Sequence, residues 1–420
     1  MSMEALHTKQ ASAHEVDVSA IERDLMRDLR APENTSENGI PGTRTAVFNL
    51  VAFATDRATM QRIVVALGAL IDHHPSRTIV ALVDPSIEEP PIHAWVQVQC
   101  KPLGTTGLHV CVDQIIIEAK PTVRRRIPNL VLPLLLADLP AIVWWPGEPP
   151  MRDPFLYDML EPANRLVVDT SEFVHVERSL AELNTLRYRP GLAVDLGDLN
   201  WTRLLPWREL IAQLWDVPDW RTQLHKITRI EIDLGRPAGG RSNRPQALLL
   251  AGWLTSRLKW DPISLERMPG GYRMQAKRGR QHVEILVNIS AGKRSGVRAV
   301  RLHVESSRAT TIFSVTASLD DTAATTVERR GIAESVTRIS RLEEFSEHEC
   351  LAQELDSTVD DRVFDEALAG VVGFLRAGAP TSKPKAPSKT APKAPNLSLL
   401  KIPIPSLPVR PSAKSRSKDK

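Results

Sequence analysis

The sequence lacks most of the patterns on which enzyme sites and secreted scaffolds are built. Its three cysteines, at positions 100, 111 and 350, form no CxxC pair, and no HExxH, GxSxG or Walker-type loop occurs. So few cysteines argue against a zinc site and a disulfide framework, and they favour a reducing compartment. We therefore expect a cytoplasmic protein without a catalytic motif, a metal site or a bound cofactor.

Long apolar runs are also missing. No run reaches the roughly 18 residues that a membrane-spanning helix needs. The first residues, MSMEALHTKQASAHEVD, contain no basic segment followed by an apolar one, so we expect neither a secretory signal nor a membrane partner.

Positive charge is concentrated at one end of the chain. The net charge is +4, but residues 380–420 hold ten Lys or Arg and one Asp. The remaining residues therefore carry about −5, which does not favour nucleic-acid binding outside this tail. The tail is rich in Pro, Lys and Ser, so we predict that residues 380–420 are disordered.

Strand and helix patterns alternate as far as residue 220. The buried-strand pattern TAVFNLVAFA (45–54), a helix from about Asp56 to Pro75 and the strand RTIVALVD (77–84) predict a parallel crossover unit. Further strands at 92–100, 108–119, 140–145 and 165–170 predict an α/β domain with a mixed sheet over residues 44–220. Residues 1–43 are predicted to form a helix over 15–30 followed by a loop.

The pattern changes after residue 220. A strand at 227–235 and a helix at 246–260 precede several neighbouring strands between 271 and 330, and a helix is predicted at 361–378. Neighbouring strands joined by short turns favour an α+β domain with a mainly antiparallel sheet over residues 221–379.

Two cysteines lie in the predicted hairpin of strands 92–100 and 108–119. With Gly104 and Gly107 in the turn and its centre between Thr105 and Thr106, Cys100 lies directly opposite Cys111. The two are a candidate redox pair. A reducing compartment favours two separate buried thiols instead.

Tryptophan is unusually frequent, with nine Trp against three Tyr. Trp144 and Trp145 end an apolar run and precede the turn PGEPP. Strand alternation sends their rings to opposite faces, so one ring can lie in the core while the other faces a groove or a partner. Trp207 and Trp215 share an amphipathic stripe and are predicted to be core.

The loop RPAGGRSNRP (236–245) is a candidate anion site. Its glycines let the backbone approach a ligand, and Arg236, Arg241 and Arg244 supply positive charge. The alternative is an ordinary solvated loop.

Three segments resemble one family in order and spacing: LPLLLADLPAIVWWPGEPP (132–150), RLVVDTSEF (165–173) and DLNWTRLLPWRELIAQLWD (198–216). They resemble the OpcA family, the glucose-6-phosphate dehydrogenase assembly proteins of cyanobacteria and actinobacteria. The resemblance implies a non-enzymatic protein that binds the dehydrogenase, promotes its active oligomer and raises its activity. In cyanobacteria the family is linked to thioredoxin-dependent control, which makes thioredoxin a further candidate partner. Cys350 has no nearby cysteine, which argues against a dithiol switch there.

On this hypothesis the partner-binding residues lie near the ends of the tryptophan-rich segments. We predict them to be Trp144, Trp145, Pro146, Gly147, Glu148, Asn200, Trp201, Arg203 and Arg208. For Arg203 and Arg208, ion pairs with a partner or within the chain are equally consistent with the sequence, and Asp198 and Asn200 are also candidate helix caps. The rival hypothesis is an α/β enzyme or sensor that binds a phosphorylated sugar or nucleotide through residues 236–245.

Overall fold

The computed structural model describes residues 7–10, 14–15, 19, 21, 23, 42–102, 109–306, 309–318, 320–330, 334–356 and 361–378. The predicted loop up to residue 41, the hairpin turn with Gly104 and Gly107, and the tail 380–420 lie outside the described residues. Of the helix predicted over 15–30, residues 19, 21 and 23 are described and helical, and Ile21 is buried. The predicted start is wrong, because His14–Glu15 is a short strand paired with Ala94 and His93.

The first sheet has ten strands within the described part of the chain. They are β1 (His7–Gln10), β2 (His14–Glu15), β3 (Gly42–Arg44), β4 (Phe48–Ala54), β5 (Ser76–Val83), β6 (Ile92–Pro102), β7 (His109–Ala119), β8 (Ala141–Trp145), β9 (Arg165–Val168) and β10 (Asp195–Asp198). Six of them, in the order β7-β5-β4-β8-β9-β10, are parallel. This is the doubly wound order 3-2-1-4-5-6 that is typical of dinucleotide-binding folds.

Helices connect these strands. They are α1 (Arg57–Leu70), α2 (Ile127–Leu134), α3 (Pro154–Leu160), α4 (Val176–Leu186), α5 (Leu199–Thr202), α6 (Leu205–Gln213) and α7 (Pro218–Arg221). Because helices cover both faces, β4 is buried at all seven positions, which explains its unbroken apolar sequence. The predicted α/β class with a mixed sheet is confirmed. Sequence patterns missed β1, β3, β10 and α3, and the segment 198–216 contains two helices, α5 and α6.

The second sheet has eight strands in the described residues. They are β11 (Ile227–Arg236), β12 (Asp261–Met268), β13 (Gly271–Arg278), β14 (Gln281–Ala291), β15 (Gly296–Glu305), β16 (Thr310–Ala317), β17 (Thr322–Arg330) and β18 (Glu334–Arg341). Their order is β12-β13-β14-β11-β15-β16-β17-β18, and among the described strands of this second sheet only the pair β11 and β14 is parallel. The predicted mainly antiparallel α+β class is confirmed, although β12 and β18 were not predicted.

Three more helices belong to this half of the chain: α8 (Arg244–Leu258), α9 (Glu347–Asp356) and α10 (Arg362–Ala377). Helices α8 and α10 pack on one face of the second sheet, whereas α9 returns to the first sheet and packs against α1 and α5. One hydrophobic cluster contains residues of both sheets, such as Val143, Ile230 and Phe313. The domain boundary near residue 220 stays a prediction, since both sheets lie in one compact unit.

No helix in the described ranges is long and apolar enough to cross a membrane.

Candidate functional site

The carboxyl edge of the parallel strands is the first place to look for a ligand site. In doubly wound sheets, ligands bind at this edge where the strand order reverses. The reversal here lies between β4 and β8, because β4 continues to β5 on one side and β8 to β9 on the other. We call the space beside the ends of β4, β5 and β7 the crevice.

The turn from β4 into α1 is not built to hold phosphate. Residues 55–59 read TDRAT, without the glycines that let a backbone approach a pyrophosphate. Asp56 caps α1, and its carboxylate accepts hydrogen bonds from the Thr59 backbone N–H and hydroxyl, both at 2.8 Å. The hydrogen bond from the Thr59 N–H lowers the pKa of Asp56. A carboxylate therefore lies at the helix end where a dinucleotide would place its phosphates.

The cation of this turn is already paired. Arg57 forms two hydrogen bonds with Glu118 at the end of β7, at 2.6 and 3.2 Å, and His93 Nε2 lies 3.0 Å from the same carboxylate. The hydrogen bond to Glu118 raises the pKa of Arg57. Asp84, at the end of β5, lies where such folds carry a ribose-binding acid, but its carboxylate accepts the Ser86 N–H at 2.7 Å. The residues of the crevice do not fit a dinucleotide, and the missing glycines were the sequence signal.

The ends of β9 and β10 carry a second, buried polar cluster. Asp198 caps α5, as predicted, and accepts hydrogen bonds from Asn200 N–H, Thr170 N–H and Thr170 Oγ1 at 2.7–3.0 Å. Burial raises its pKa to about 7, and the nearby charge of Asp169 contributes in the same direction. Asn200 is not a cap. Its amide exchanges two hydrogen bonds with Asn243, the cap of α8, at 2.8 and 3.0 Å.

This pair joins the two sheets. Because Asn200 follows β10 and Asn243 begins α8, their reciprocal hydrogen bonds connect the edge of the first sheet to the helix that covers the second. The predicted partner contact through Asn200 has no exposed surface to use, since the residue is completely buried.

Trp201 and the two arginines of this segment, Arg203 and Arg208, also make their contacts within the protein. Arg203 Nη1 lies 2.8 Å from Asp169, so an internal ion pair is the alternative that the structure supports. Arg208 stacks on the Trp201 ring at 3.7 Å, and burial lowers its pKa to about 10. The Trp201 indole donates to Asp361, the cap of α10, at 2.9 Å.

Trp144 and Trp145 point to opposite faces of β8, as strand alternation predicts. Trp144 packs among Leu50 and Leu351, whereas Trp145 stacks on Phe53 with ring centroids 4.5 Å apart. They are 0% and 5% exposed. The expectation that one ring faces a groove is wrong, because helices cover both faces of this central strand. Trp207 and Trp215 are buried, as predicted.

The turn after Trp145 borders an open groove. Glu148 accepts hydrogen bonds from Val174 N–H at 2.7 Å and His175 N–H at 3.0 Å, and from Ser179 Oγ. Burial opposes its ionisation, but the hydrogen bond from Ser179 and those from His175 and Val174 lower its pKa overall. These hydrogen bonds of Glu148 thus fix the backbone at the start of α4. Pro146 and Gly147 directly precede Glu148 in the turn. Between residues 148–154 and 174–182 lies a groove of about 630 Å³, which we call the proline groove.

The arginines of the loop 236–245 do not line one common cavity. Arg241 donates to the Phe173 carbonyl, and Arg244 lies 3.4 Å from the Tyr272 hydroxyl. A neighbouring cavity of about 810 Å³ is lined by Asn243, Lys293 and Arg298 among others, but by none of Arg236, Arg241 and Arg244. Arg241 and Arg244 thus contact other groups of the same chain, and the anion site at residues 236–245 stays a prediction.

The cysteine register is confirmed, with Cys100 opposite Cys111 on β6 and β7. The two sulfurs are bonded, so the expectation of two separate buried thiols is wrong. Cross-strand neighbours lie within bonding reach, and the separate thiols were predicted only from the expected reducing compartment. Cys350 is buried, and burial raises the pKa of its thiol to about 12.

Fold and crevice together define a class of protein. It has a doubly wound, dinucleotide-type sheet joined to a large mixed sheet, with a carboxylate at the helix end where a phosphate would lie.

Two family models match this chain. One, described as the glucose-6-phosphate dehydrogenase subunit N-terminal domain, matches residues 68–185, and the corresponding C-terminal domain model matches residues 194–368. The chain belongs to the OpcA family, as the sequence motifs indicated.

Relatives named OxPP cycle protein OpcA are similar over about half of this chain. The protein from Synechocystis sp. is 31% identical over 198 residues, which are 47% of this chain and 40% of the relative. The protein from Nostoc punctiforme is 32% identical over 196 residues, or 46% and 40%. The matched region thus spans less than half the length of either relative.

Solved structures with similar folds include two enzymes. Glucose-6-phosphate 1-dehydrogenase from Mycobacterium avium is 12% identical with a TM-score of 0.47, covering 78% of this chain and 91% of that one. The 3-ketoreductase KijD10 from Actinomadura kijaniata is 10% identical with a TM-score of 0.47, covering 79% and 96%. Both TM-scores lie below 0.5, so neither similarity bears on function.

Proposed function

We propose that this chain is a non-catalytic assembly factor and allosteric activator of glucose-6-phosphate dehydrogenase. The family models, whose descriptions name that dehydrogenase, support this proposal. The observation that carries the non-catalytic part is the capping of α1 by Asp56, since it places a carboxylate where a nicotinamide dinucleotide would bring its phosphates. The rival proposal of an anion-binding enzyme or sensor has less support, because Arg241 contacts the Phe173 carbonyl and Arg244 the Tyr272 hydroxyl of the same chain.

We place the dehydrogenase contact at the proline groove. Glu148 lines the proposed surface and the half-buried Gly147 precedes it, whereas Trp144, Trp145, Pro146, Asn200 and Trp201 are buried. The groove has an exposed apolar residue, Val174, which is 59% exposed. Arg125, Arg152 and Arg178 line the same groove. An apolar side chain surrounded by arginines is a composition enriched in protein interfaces.

The groove is also rigid before any partner binds. Prolines fix its backbone on one side, and the hydrogen bonds of Glu148 fix Val174 and His175 on the other. A preorganised surface loses little conformational entropy on docking, so more of the contact energy remains for affinity.

Activation requires a difference in affinity between two states of the dehydrogenase. The chain must bind the active state more tightly than the inactive one. A coupling of about 1–3 kcal/mol would change the affinity for glucose 6-phosphate about 5- to 150-fold.

The primary experiment mixes the full chain with the dehydrogenase of its own host. Size-exclusion chromatography should show co-elution, and the dehydrogenase should become more active at low glucose 6-phosphate. The chain alone should show neither turnover nor a calorimetric signal with NADP. Turnover by the chain alone, or failure both to co-elute and to stimulate, contradicts the proposal.

The surface has a matched pair of variants. Val174→Asp should weaken stimulation at least tenfold, because it puts a carboxylate in the groove. Val65→Asp makes the same change on α1, where Val65 is 65% exposed, and should leave stimulation unchanged. Equal effects of the two substitutions would exclude the groove as the contact while leaving the assembly role intact.

Thioredoxin-type control is proposed for Cys100 and Cys111 only. They are the bonded pair, whereas Cys350 is buried and is the one free cysteine. Incubation with thioredoxin and its reductase should expose two thiols per chain, and stimulation should be compared before and after. Unchanged stimulation after full reduction would remove the regulatory role.

A further inference from the structure

The two faces of the second sheet differ sharply. Side chains such as Ile230, Ile232 and Val287 point to the face covered by α8 and α10 and are buried. The residues between them point the other way, and Arg229 and Arg273 are 45% and 46% exposed there. We call this solvent-facing side the outer face.

Ion pairs cross the centre of the outer face. Strand register aligns its charged side chains, and three of the distances are Arg273–Glu284 at 3.3 Å, Arg229–Glu231 at 3.1 Å and Arg301–Asp233 at 2.6 Å. The residues of this charge ladder are Arg273, Glu284, Arg229, Glu231, Arg301 and Asp233. Positive and negative members are equal in number and alternate, so the ladder has no net charge.

The half of the outer face on β16, β17 and β18 is different. Its middle rows carry small neutral side chains, and the charged Glu328, Arg330 and Arg341 lie toward the strand ends. The neutral residues are Ser314, Thr316, Ala324, Thr326, Thr337 and Ile339. Ile339 is 72% exposed. A sheet surface without charged side chains costs less to desolvate than a charged one, which favours contact with another protein surface.

The face is large enough for a stable interface. Eight strands spaced about 4.8 Å apart, each with about eight residues rising 3.3 Å, cover on the order of 900 Å². A typical specific interface buries about 800 Å² per partner. Two sheets of this size can pack face to face about 10 Å apart.

We propose that the outer face binds a second copy of this chain in an isologous homodimer. A two-fold axis can bring the arginines of one ladder opposite the carboxylates of the other, because the two signs alternate in equal number. A partner of one charge sign would meet like charges along half of the ladder. The neutral half of each copy then packs against its equivalent. This proposal does not depend on the proposed function, since the chain alone forms the dimer.

Light scattering coupled to size-exclusion chromatography of the full chain tests the dimer. The expected mass is twice the 46.6 kDa of the chain at tens of micromolar. Thr316→Lys combined with Thr337→Lys places like charges on the neutral half, on positions that are not cross-strand neighbours. The double variant should raise the dimer dissociation constant at least tenfold. Thr222→Lys, an exposed threonine outside the second sheet, is the matched control and should stay dimeric.

Ile339→Lys separates docking from folding. Its side chain is mostly exposed, so the substitution should leave the melting behaviour of a dilute monomer unchanged and still weaken the dimer. A monomeric wild-type chain at about 100 µM overturns the proposal, as does a dimer that all three lysine substitutions leave intact. Protection of the outer face from hydrogen exchange only after the dehydrogenase is added would also overturn it, because the occupant would then be the dehydrogenase.

Discussion

The two halves of the first sheet end in different ways at the same edge. Beyond β4, β5 and β7 the carboxylates cap turns or pair with Arg57, whose side chain is 61% exposed. Beyond β9 and β10, Asp169 and Asp198 lie inside the protein and hold buried partners. One half meets solvent while helices of the later part of the chain cover the other. The equivalent strand ends therefore border the solvent-exposed crevice in one half of the sheet. In the other half they lie in a buried polar cluster, which we call the joint: Arg165, Asp169, Asp198, Thr202 and Glu354.

This difference in burial determines how much each half contributes to the free energy of unfolding. Charges near water are screened, so their pairs contribute little, whereas buried pairs are costly to break. Substitutions at the joint should therefore destabilise the protein most, and substitutions at the crevice least.

The largest effect is expected at Glu354, which α9 contributes to the joint. Its carboxylate pairs with Arg165 at 2.5 Å and accepts the Thr202 hydroxyl at 2.6 Å, and both members of the ion pair are buried. Glu354→Ala removes a buried carboxylate that pairs with the buried Arg165 and accepts the Thr202 hydroxyl, and it should cost about 3–5 kcal/mol in the free energy of unfolding. Denaturant titration measures the loss. Glu366→Ala removes a mostly exposed partner of Arg257 and should cost below about 1 kcal/mol; equal losses would refute the contrast.

The second prediction concerns pH. Because the pKa of Asp198 is raised to about 7 in the folded protein but lies near 3.9 when unfolded, folding holds this proton more tightly. The stability from the protonated acid is complete below about pH 4, falls as pH rises, and stays constant above about 7. Asp198→Asn mimics the protonated form, so wild type should lose about 4 kcal/mol relative to the variant across that window. Denaturant titrations from pH 4 to 8 measure it, with exposed Asp195→Asn as control. A pH-independent difference contradicts the assignment.

The third prediction tests how much the disulfide between β6 and β7 contributes to stability. The Cys100–Cys111 bond closes a short loop, and removing such a link should cost about 2–3 kcal/mol through the greater freedom of the unfolded chain. The double serine variant should melt at the temperature of the wild type in dithiothreitol, and the reductant should not affect the variant. A reductant effect on the variant would point to Cys350 instead.

Sequence patterns were sufficient where the cause is local. The stripe from Trp207 to Trp215 and the caps Asp56 and Asp198 follow from helical spacing and cap chemistry. The opposition of Cys100 and Cys111 follows from the predicted centre of the turn. Each of these features depends on residues within about a dozen positions.

The joint could not be predicted, because its partners are far apart in the sequence. Arg165 pairs with Glu354 and Trp201 donates to Asp361, across 189 and 160 positions. The strand β10 was missed for a local reason, because DLGD is a poor strand sequence. Gly197 is required where Glu354 and Arg165 approach so closely that a β-carbon would clash. The interior partners of these Trp and Arg side chains cannot be recognised from the sequence. The sequence pattern therefore predicts a surface role for side chains that the structure buries.

The smallest effect is expected at Asp56 in the crevice. Asp56→Ala removes the cap of α1 and should cost about 1 kcal/mol, whereas Asp56→Gly should cost only a few tenths. The glycine variant also removes the carboxylate that opposes phosphate. Arg57 remains paired with Glu118, and the turn still lacks the other glycines, so NADP should not raise the melting temperature of either variant. A clear rise for Asp56→Gly would show that one carboxylate alone closes the crevice, and the two halves of the sheet would then differ by a single residue rather than by their whole architecture.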